Sequence, residues 1–273
     1  MVRLISKRLV YLATPLGAAA YGIHRSLSYL EDNYPNLPAS RYASVALQSP
    51  RHPDTQRCAY TDIFAARIPL AALQERACSQ TQDNRLALEE AWARAVLNSR
   101  ILRSEGALLG LWTRGKLDPG DTGENGFYQD CEEKPQRLLN GVAYTQRIPG
   151  ANADSRGLLI AWEMAEPPRA FFENLARWGY PWRLMSGGRH EMSVSDMYEV
   201  PGQGQFVDVR FSGAHDYEMV AIEREKQKVI PAWVMRLHAG YARLILDQAV
   251  REVMHAHTLT GGSQMINQPQ DEL

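Results

Sequence analysis

Apolar positions recur along this chain in two rhythms. Between Leu86 and Leu109, Leu88, Ala91, Trp92, Ala95, Val96, Ile101 and Leu102 fall at helical spacing, which gathers them on one face. Asn98-Ser99 marks a break in that run. Pro231 opens a second helical stretch to about His255, with Val234, Leu237, Tyr241, Leu244, Ile245, Ala249 and Val253 as its buried stripe. Arg236, Arg243, Asp247 and Arg251 fall mostly on the other side. The alternating rhythm of strands occupies Tyr60–Ile68, Gln136–Ile148, Gly157–Met164, Arg189–Ser195 and Gln205–Ala214. His190, Met192 and Val194 share one face of their strand, and Val207, Val209 and Phe211 oppose Asp208 and Arg210 on theirs. Pro167-Pro168 opens a short helix, Arg169–Trp178, that Gly179 closes, and Gly202-Gln203-Gly204 makes a turn.

This order predicts an α+β fold. A curved antiparallel sheet buries one face only if something covers it, and the last helix is the natural cover. The arrangement is similar to the helix-grip fold of START and Bet v 1-like proteins, with a hotdog or cystatin-like fold as the alternative. The chain divides into an apolar leader helix (1–30), a polar linker (31–56), a single α+β domain (57–257) and a flexible tail (258–273).

The leader carries Arg3, Lys7, Arg8 and Arg25 and no acid, around an apolar stretch from Leu9 to Ile23. That stretch is shorter than the roughly 20 residues of a comfortable membrane span. An uncleaved signal-anchor, a mitochondrial leader and an amphipathic surface helix all fit. Membrane association through residues 9–23 is favoured, because a positive flank followed by an apolar core is its pattern. The terminal Gln270-Asp271-Glu272-Leu273 resembles an endoplasmic-reticulum retention signal, so the expected location is a membrane, with that compartment first and mitochondrial or cytoplasmic placement open.

The 273 residues are 45% hydrophobic with a net charge of −1, which is enough for a core and lacks the basic footprint of a nucleic-acid binder. Cys58, Cys78 and Cys131 form no CxxC pair, which argues against a disulfide framework or structural zinc. No Gly-x-Ser-x-Gly elbow, dinucleotide fingerprint or zinc-protease spacing occurs, so no metal and no cofactor are expected. The densest polar segments are Ser186-Gly187-Gly188-Arg189-His190-Glu191 and His215-Asp216-Tyr217-Glu218. Neighbouring strands would let His190 and His215 meet inside the sheet. Trp162, Trp178, Tyr180, Trp182 and Trp233 concentrate around one strand, the short helix and the covering helix. Such a set reads either as core packing or as the wall of a cavity for a hydrophobic small molecule, oriented by Tyr144, His190, Arg210 or Tyr217.

Ala176 to Glu191 (ARWGYPWRLMSGGRHE), Val207–Ser212, Ala214–Glu218, Ile230–Trp233 and Arg236–His238 cover roughly the C-terminal third. They resemble a family of fungal natural-product pathway proteins, the norbornene-forming Diels–Alderases of sordarin-type diterpenoid biosynthesis. The resemblance implies a cofactor-independent cyclase or isomerase of a terpenoid. Its cavity would hold diene and dienophile in a near-attack geometry, and a hydrogen-bond donor would activate the dienophile carbonyl. On that reading His190, Arg210 and Tyr217 are the catalytic candidates, His190 first. Tyr144, Trp162, Met192, Trp182 and Trp233 are the substrate-binding candidates. A lipid- or terpenoid-binding module shares every one of these features and stands as the alternative.

Overall fold

The computed structural model describes residues 7–77, 84–127, 135–150 and 157–259. Cys78, Cys131 and nearly all of the expected tail lie outside them. In chain order the elements are α1 (Lys7–Asn33), α2 (Ala39–Tyr42), α3 (Val45–Gln48), β1 (Gln56–Pro69), α4 (Leu70–Gln74), α5 (Asn84–Leu97), α6 (Arg100–Thr113), β2 (Arg137–Leu138), β3 (Ala143–Arg147), β4 (Leu158–Glu163), α7 (Glu166–Arg177), β5 (Gly187–Val194), β6 (Tyr198–Val200), β7 (Gly204–Glu218) and α8 (Ala232–Leu259). The architecture is α+β, as the two rhythms predict. The helical run from Leu86 does break at Asn98-Ser99, and the strand expected over Gln136–Ile148 is two short strands around a turn.

The seven strands form an open antiparallel sheet in the order β1-β7-β5-β4-β3-β2, with β6 paired to β7. The two longest strands, β1 and β7, pair from Gln56↔Glu218 to Pro69↔Phe206, with a bulge between Cys58 and Tyr60. Strand β7 therefore sits between β1 and β5, and the two polar segments singled out in the sequence are direct neighbours, with Gly188↔His215 and His190↔Gly213 in register.

Alternation sends the residues of β5 and β7 to opposite faces. One face takes Ile160, Met192, Val194, Val207, Val209 and Phe211 into the main core with Phe64 and Ile68 of β1. Helices α5 and α8 cover it together, so α8 is only part of the roof. Trp92 of α5 fills the middle of this layer, and its indole N–H donates to the Arg210 carbonyl at 2.8 Å. The buried stripe of α8 runs through Ala242, Ile245, Leu246, Ala249 and Val253, whereas Leu237 and Leu244 are exposed. Ile245, Ala249 and Val253 of the expected stripe are thus buried, and Leu237 and Leu244 are not.

Two N-terminal expectations need correction. Residues 31–56 are no free linker. Leu47 is fully buried, Ser44 caps α3 by accepting from the Leu47 N–H, and the Leu37 N–H donates to the Ile63 carbonyl of β1 at 2.9 Å. Polar composition concealed this because distant partners hold the segment. The leader helix continues through Asn33 and packs its C-terminal turns on α8, with Leu30 buried. There the Tyr34 hydroxyl donates to Asp247 at 2.9 Å, the Arg243 Nε donates to the Tyr34 carbonyl at 2.8 Å, and the Arg243 guanidinium lies 4.2 Å from the centre of the Phe64 ring. Arg243 and Asp247, expected on a solvated side, are buried because α1 covers them. Among the described residues no helix is long and apolar enough to cross a membrane.

Candidate functional site

Beneath the N-terminal half of α8, the covered face of the sheet turns from aliphatic to aromatic and imidazole. His190 of β5 stacks on Phe211 of β7, with ring centres 5.1 Å apart and planes 16° from parallel. Two residues past Gly213 on the same face stands His215, 1% exposed. His238 descends from α8 to meet the His215 ring edge-on at 4.6 Å. Three imidazoles from three elements therefore share one site.

Two glycines make the space. A Cβ at Gly213 would lie 3.5 Å from His190 Nδ1 and 3.7 Å from His215 Nε2, so this glycine is the floor between the two rings. A Cβ at Gly188 would strike the Ala214 carbonyl oxygen and come within 2.9 Å of the Trp162 ring. Only a residue without a side chain lets that indole lie flat against β5.

Burial dominates the electrostatics. It pulls the His190 imidazole down to about 4, with the nearby His238 ring adding to the effect. It pulls His215 down to about 3, with the His238 and His190 rings and the Arg189 guanidinium adding to the effect, and His238 is lowered by burial too. All three rings are therefore neutral at pH 7, each with one N–H and one acceptor nitrogen, and the His190 ring is also hydrogen-bonded to the Ser212 backbone. His190 Nδ1, His215 Nδ1, His238 Nε2 and the Trp162 indole nitrogen are buried without a hydrogen-bond partner in the protein. Buried polar atoms are normally paired, and four unpaired in one neighbourhood single this place out as the candidate site. His190 and His238 each keep some accessible surface, which leaves the cluster a way out to solvent. Among the described residues no group of three His, Cys, Asp or Glu side chains is placed to hold a metal ion.

The remaining sequence-derived candidates separate. Met192 is fully buried in the main core. Tyr217 lies on the histidine face but packs with Met185 and Ile230, and its hydroxyl oxygen accepts from the Ile230 N–H at 3.4 Å. Arg210 and Tyr144 project from the opposite face by strand parity, so neither converges on His190. Arg210 lies over the Tyr42 ring at 4.9 Å, and Arg51 and Arg137 sit over Tyr144 at 5.2 and 5.6 Å. Trp182 stacks on Phe172 of α7 at 5.7 Å, and Trp233 is exposed on the first turn of α8.

The opposite face is built differently. The Arg189 guanidinium forms a two-pronged pair with Asp216, one bond at 2.8 Å, while its Nε donates to the Leu47 carbonyl at 2.7 Å. Glu191 accepts from Arg147 at 2.7 Å and from the Ser44 hydroxyl. These pairs clamp α3 and its N-cap onto the sheet. Arg51, Gln56, Tyr144, Arg189 and Asp216 line a pit there of about 10 Å³, room for about one water molecule.

Sequence reasoning brought His190 and His215 together but missed His238, Gly213 and Gly188. The signal for His238 is its spacing, four residues after Val234 and four before Ala242, which places it on the true stripe of α8. Among known proteins, no family model, no curated protein and no solved structure matches the chain.

Proposed function

We propose that the protein is a cofactor-independent cyclase or isomerase of a hydrophobic, carbonyl-bearing small molecule, with the histidine cluster under α8 as its active site. The observation that carries this reading is the set of three neutral imidazoles with partnerless buried nitrogens, set among Trp162 and Phe211. A neutral N–H in a dry, apolar setting polarises a carbonyl without bringing a charge that must itself be desolvated. An intramolecular [4+2] closure of a terpenoid, norbornene formation of the sordarin type, suits such a site. Two π bonds become two σ bonds, one π bond shifts, and no atom or electron enters or leaves. The protein's contribution is to fold the substrate and to stabilise the electron density that moves toward the carbonyl. His190 is the first candidate donor because it keeps accessible surface beside Phe211, its N–H turning from the Ser212 backbone to the substrate carbonyl. His215 and His238 complete the hydrogen-bonding lining.

The helix-grip likeness belongs to this proposal. A long C-terminal helix across an antiparallel sheet supports it, while the sharing of that face by α5 departs from it. The second reading, a module that binds or transfers an apolar ligand, is favoured by the same partnerless nitrogens, because binding needs them as much as catalysis does.

The test uses the full chain, because Ser44 and Leu47 dock on the sheet and a fragment starting at Arg57 would lose them. The chain is incubated with extracted terpenoid intermediates, following mass and retention time. Formation of a product of unchanged mass and new retention, abolished in His190→Ala while the fold persists, is the expected outcome. Retention of unaltered ligand would select the binding module. Full turnover by a folded His190→Ala protein would remove His190 from the chemistry.

A further inference from the structure

Three helices bring exposed apolar groups to one end of the molecule. On α6 the exposed positions are Arg100, Arg103, Ser104, Ala107, Leu108, Leu111 and Trp112, a stripe at helical spacing, and the last residue Thr113. Its C-terminal half is apolar, with Leu111 80% and Trp112 90% exposed. The helix is held so that this stripe faces outward: the Asn140 side chain donates to the Gly106 carbonyl at 2.7 Å and the Tyr241 hydroxyl donates to Glu105 at 2.6 Å.

The Ile101 N–H donates to Gln248 of α8 at 3.2 Å, so α6 and α8 run antiparallel. At equal rise per residue, Trp112 comes level with the start of α8, where Trp233 is 64% exposed and Leu237 is also open. Helix α1 runs parallel to α8, since Arg236 meets His24 and Ser28 while Asp247 meets Tyr34. Its N-terminal half therefore extends past the same end, with residues 17–26 all exposed, Tyr21 and Ile23 among them.

Exposed cations stand beside these groups. Residues 17–30, 107–116 and 232–237 contain Arg25, Arg114, Lys116 and Arg236 and no acid, with Arg236 paired to Glu31 of α1 at 2.7 Å. An apolar centre with tryptophans at its edge and Arg25, Arg114 and Lys116 beside it is complementary to hydrocarbon beneath anionic headgroups.

We propose that this end of the molecule docks on the surface of an anionic phospholipid bilayer, lying on it without crossing it. The inference stands apart from the proposed chemistry. His238 lies little more than one turn from Trp233 on α8, so docking here places the histidine cluster close to the lipid from which an apolar substrate would come.

The experiment is vesicle flotation of the full chain with phosphatidylcholine alone and with about a third phosphatidylserine. Wild type is expected to float with the anionic vesicles and to be released by salt. The pair Leu111→Ser and Trp112→Ser, both on the surface and so leaving the circular dichroism and melting curve unchanged, is expected to lower bound protein at least tenfold. Arg114→Gln with Lys116→Gln is expected to remove most of the salt-sensitive part, while His190→Ala floats as wild type does. No flotation of wild type, or flotation unchanged by the Leu111/Trp112 pair, overturns the proposal. So does a shift from dimer to monomer in that pair without vesicles, which would make a second copy the occupant.

Discussion

Strand β5 lays two kinds of buried polar residue side by side. Arg189 and Glu191 point to the face under α2 and α3, and His190 points to the face under α8. On the first face Arg189 and Glu191 each have a partner of opposite sign within hydrogen-bonding distance, and the pairs bind a non-local segment to the sheet. On the second face three neutral rings leave nitrogens unpaired. The strand is the same, and the difference lies in satisfaction. Satisfied polar groups hold a fold together, whereas unsatisfied ones weaken it and are kept for another purpose. The two faces should therefore answer substitution with opposite signs.

The largest effect is expected on the paired face. Arg189→Met strands Asp216 in a buried site and leaves the Leu47 carbonyl without its donor. Breaking one partner of such a pair costs about 3–5 kcal/mol, measurable by urea unfolding. Adding Asp216→Leu should restore most of that stability, because the charge left behind is what makes the single change severe. A single substitution costing under about 1 kcal/mol would mean the pair contributes as little as a surface ion pair, and the contrast between the faces would collapse.

Acidification probes the histidine face. A histidine whose folded value is lowered to about 4 resists protonation in the native state, while the unfolded chain takes up protons from about pH 6.5 downward. Stability from this source is intact above pH 6.5 and is lost as pH falls toward 4, by roughly 3 kcal/mol for His190 alone. Asp62, Glu89 and Asp216 are raised by burial and act in the opposite direction, so the informative quantity is the difference between two proteins. His190→Phe keeps the stack on Phe211 and removes the titrating ring. It should be about 1 kcal/mol more stable than wild type at pH 7, because the partnerless Nδ1 goes, and its advantage should widen on acidification. Parallel stability curves for the two proteins across pH 7 to 4 would show that His190 is not the buried, neutral ring described above.

Gly188→Ala ranks next, at roughly 1–3 kcal/mol of destabilisation. The new methyl meets a backbone carbonyl and the Trp162 ring, and neither retreats cheaply. An unchanged melting temperature would mean that Trp162 does not lie against this strand.

How much of this was legible depends on how local each cause is. Alternation alone put His190, Met192 and Val194 on one face, and the same rule had already set Arg210 against Val209 and Phe211. Grouping Arg210 with His190 as catalytic ignored that parity. Pairing of β5 with β7 was enough to join His190 to His215. The expected stripe of α8 runs through Leu237 and Leu244 because leucine looks more buried than histidine, yet those leucines are open and His238 meets His215 of the sheet. The segment from Asn36 to Leu47 read as a linker since its anchors, Ile63, Arg189 and Glu191, are distant in sequence, and no local period records a non-local ion pair.

The smallest stability change is expected at Gly213, and it separates space from hydrogen bonding on the histidine face. A methyl there meets His190 and His215 at ordinary contact distances, 3.5 to 3.7 Å, and the backbone is not in the left-handed region. Gly213→Ala should therefore fold with a stability within about half a kcal/mol of wild type, with the low histidine values preserved and measurable by NMR titration. What it removes is the floor between two rings, the position from which a ligand would reach both nitrogens. Loss of turnover or of ligand retention in a protein of unchanged stability and titration would place the ligand over Gly213. If activity and binding both survive, the ligand does not sit between His190 and His215, and the partnerless nitrogens of this face must serve a group approaching from the His238 side.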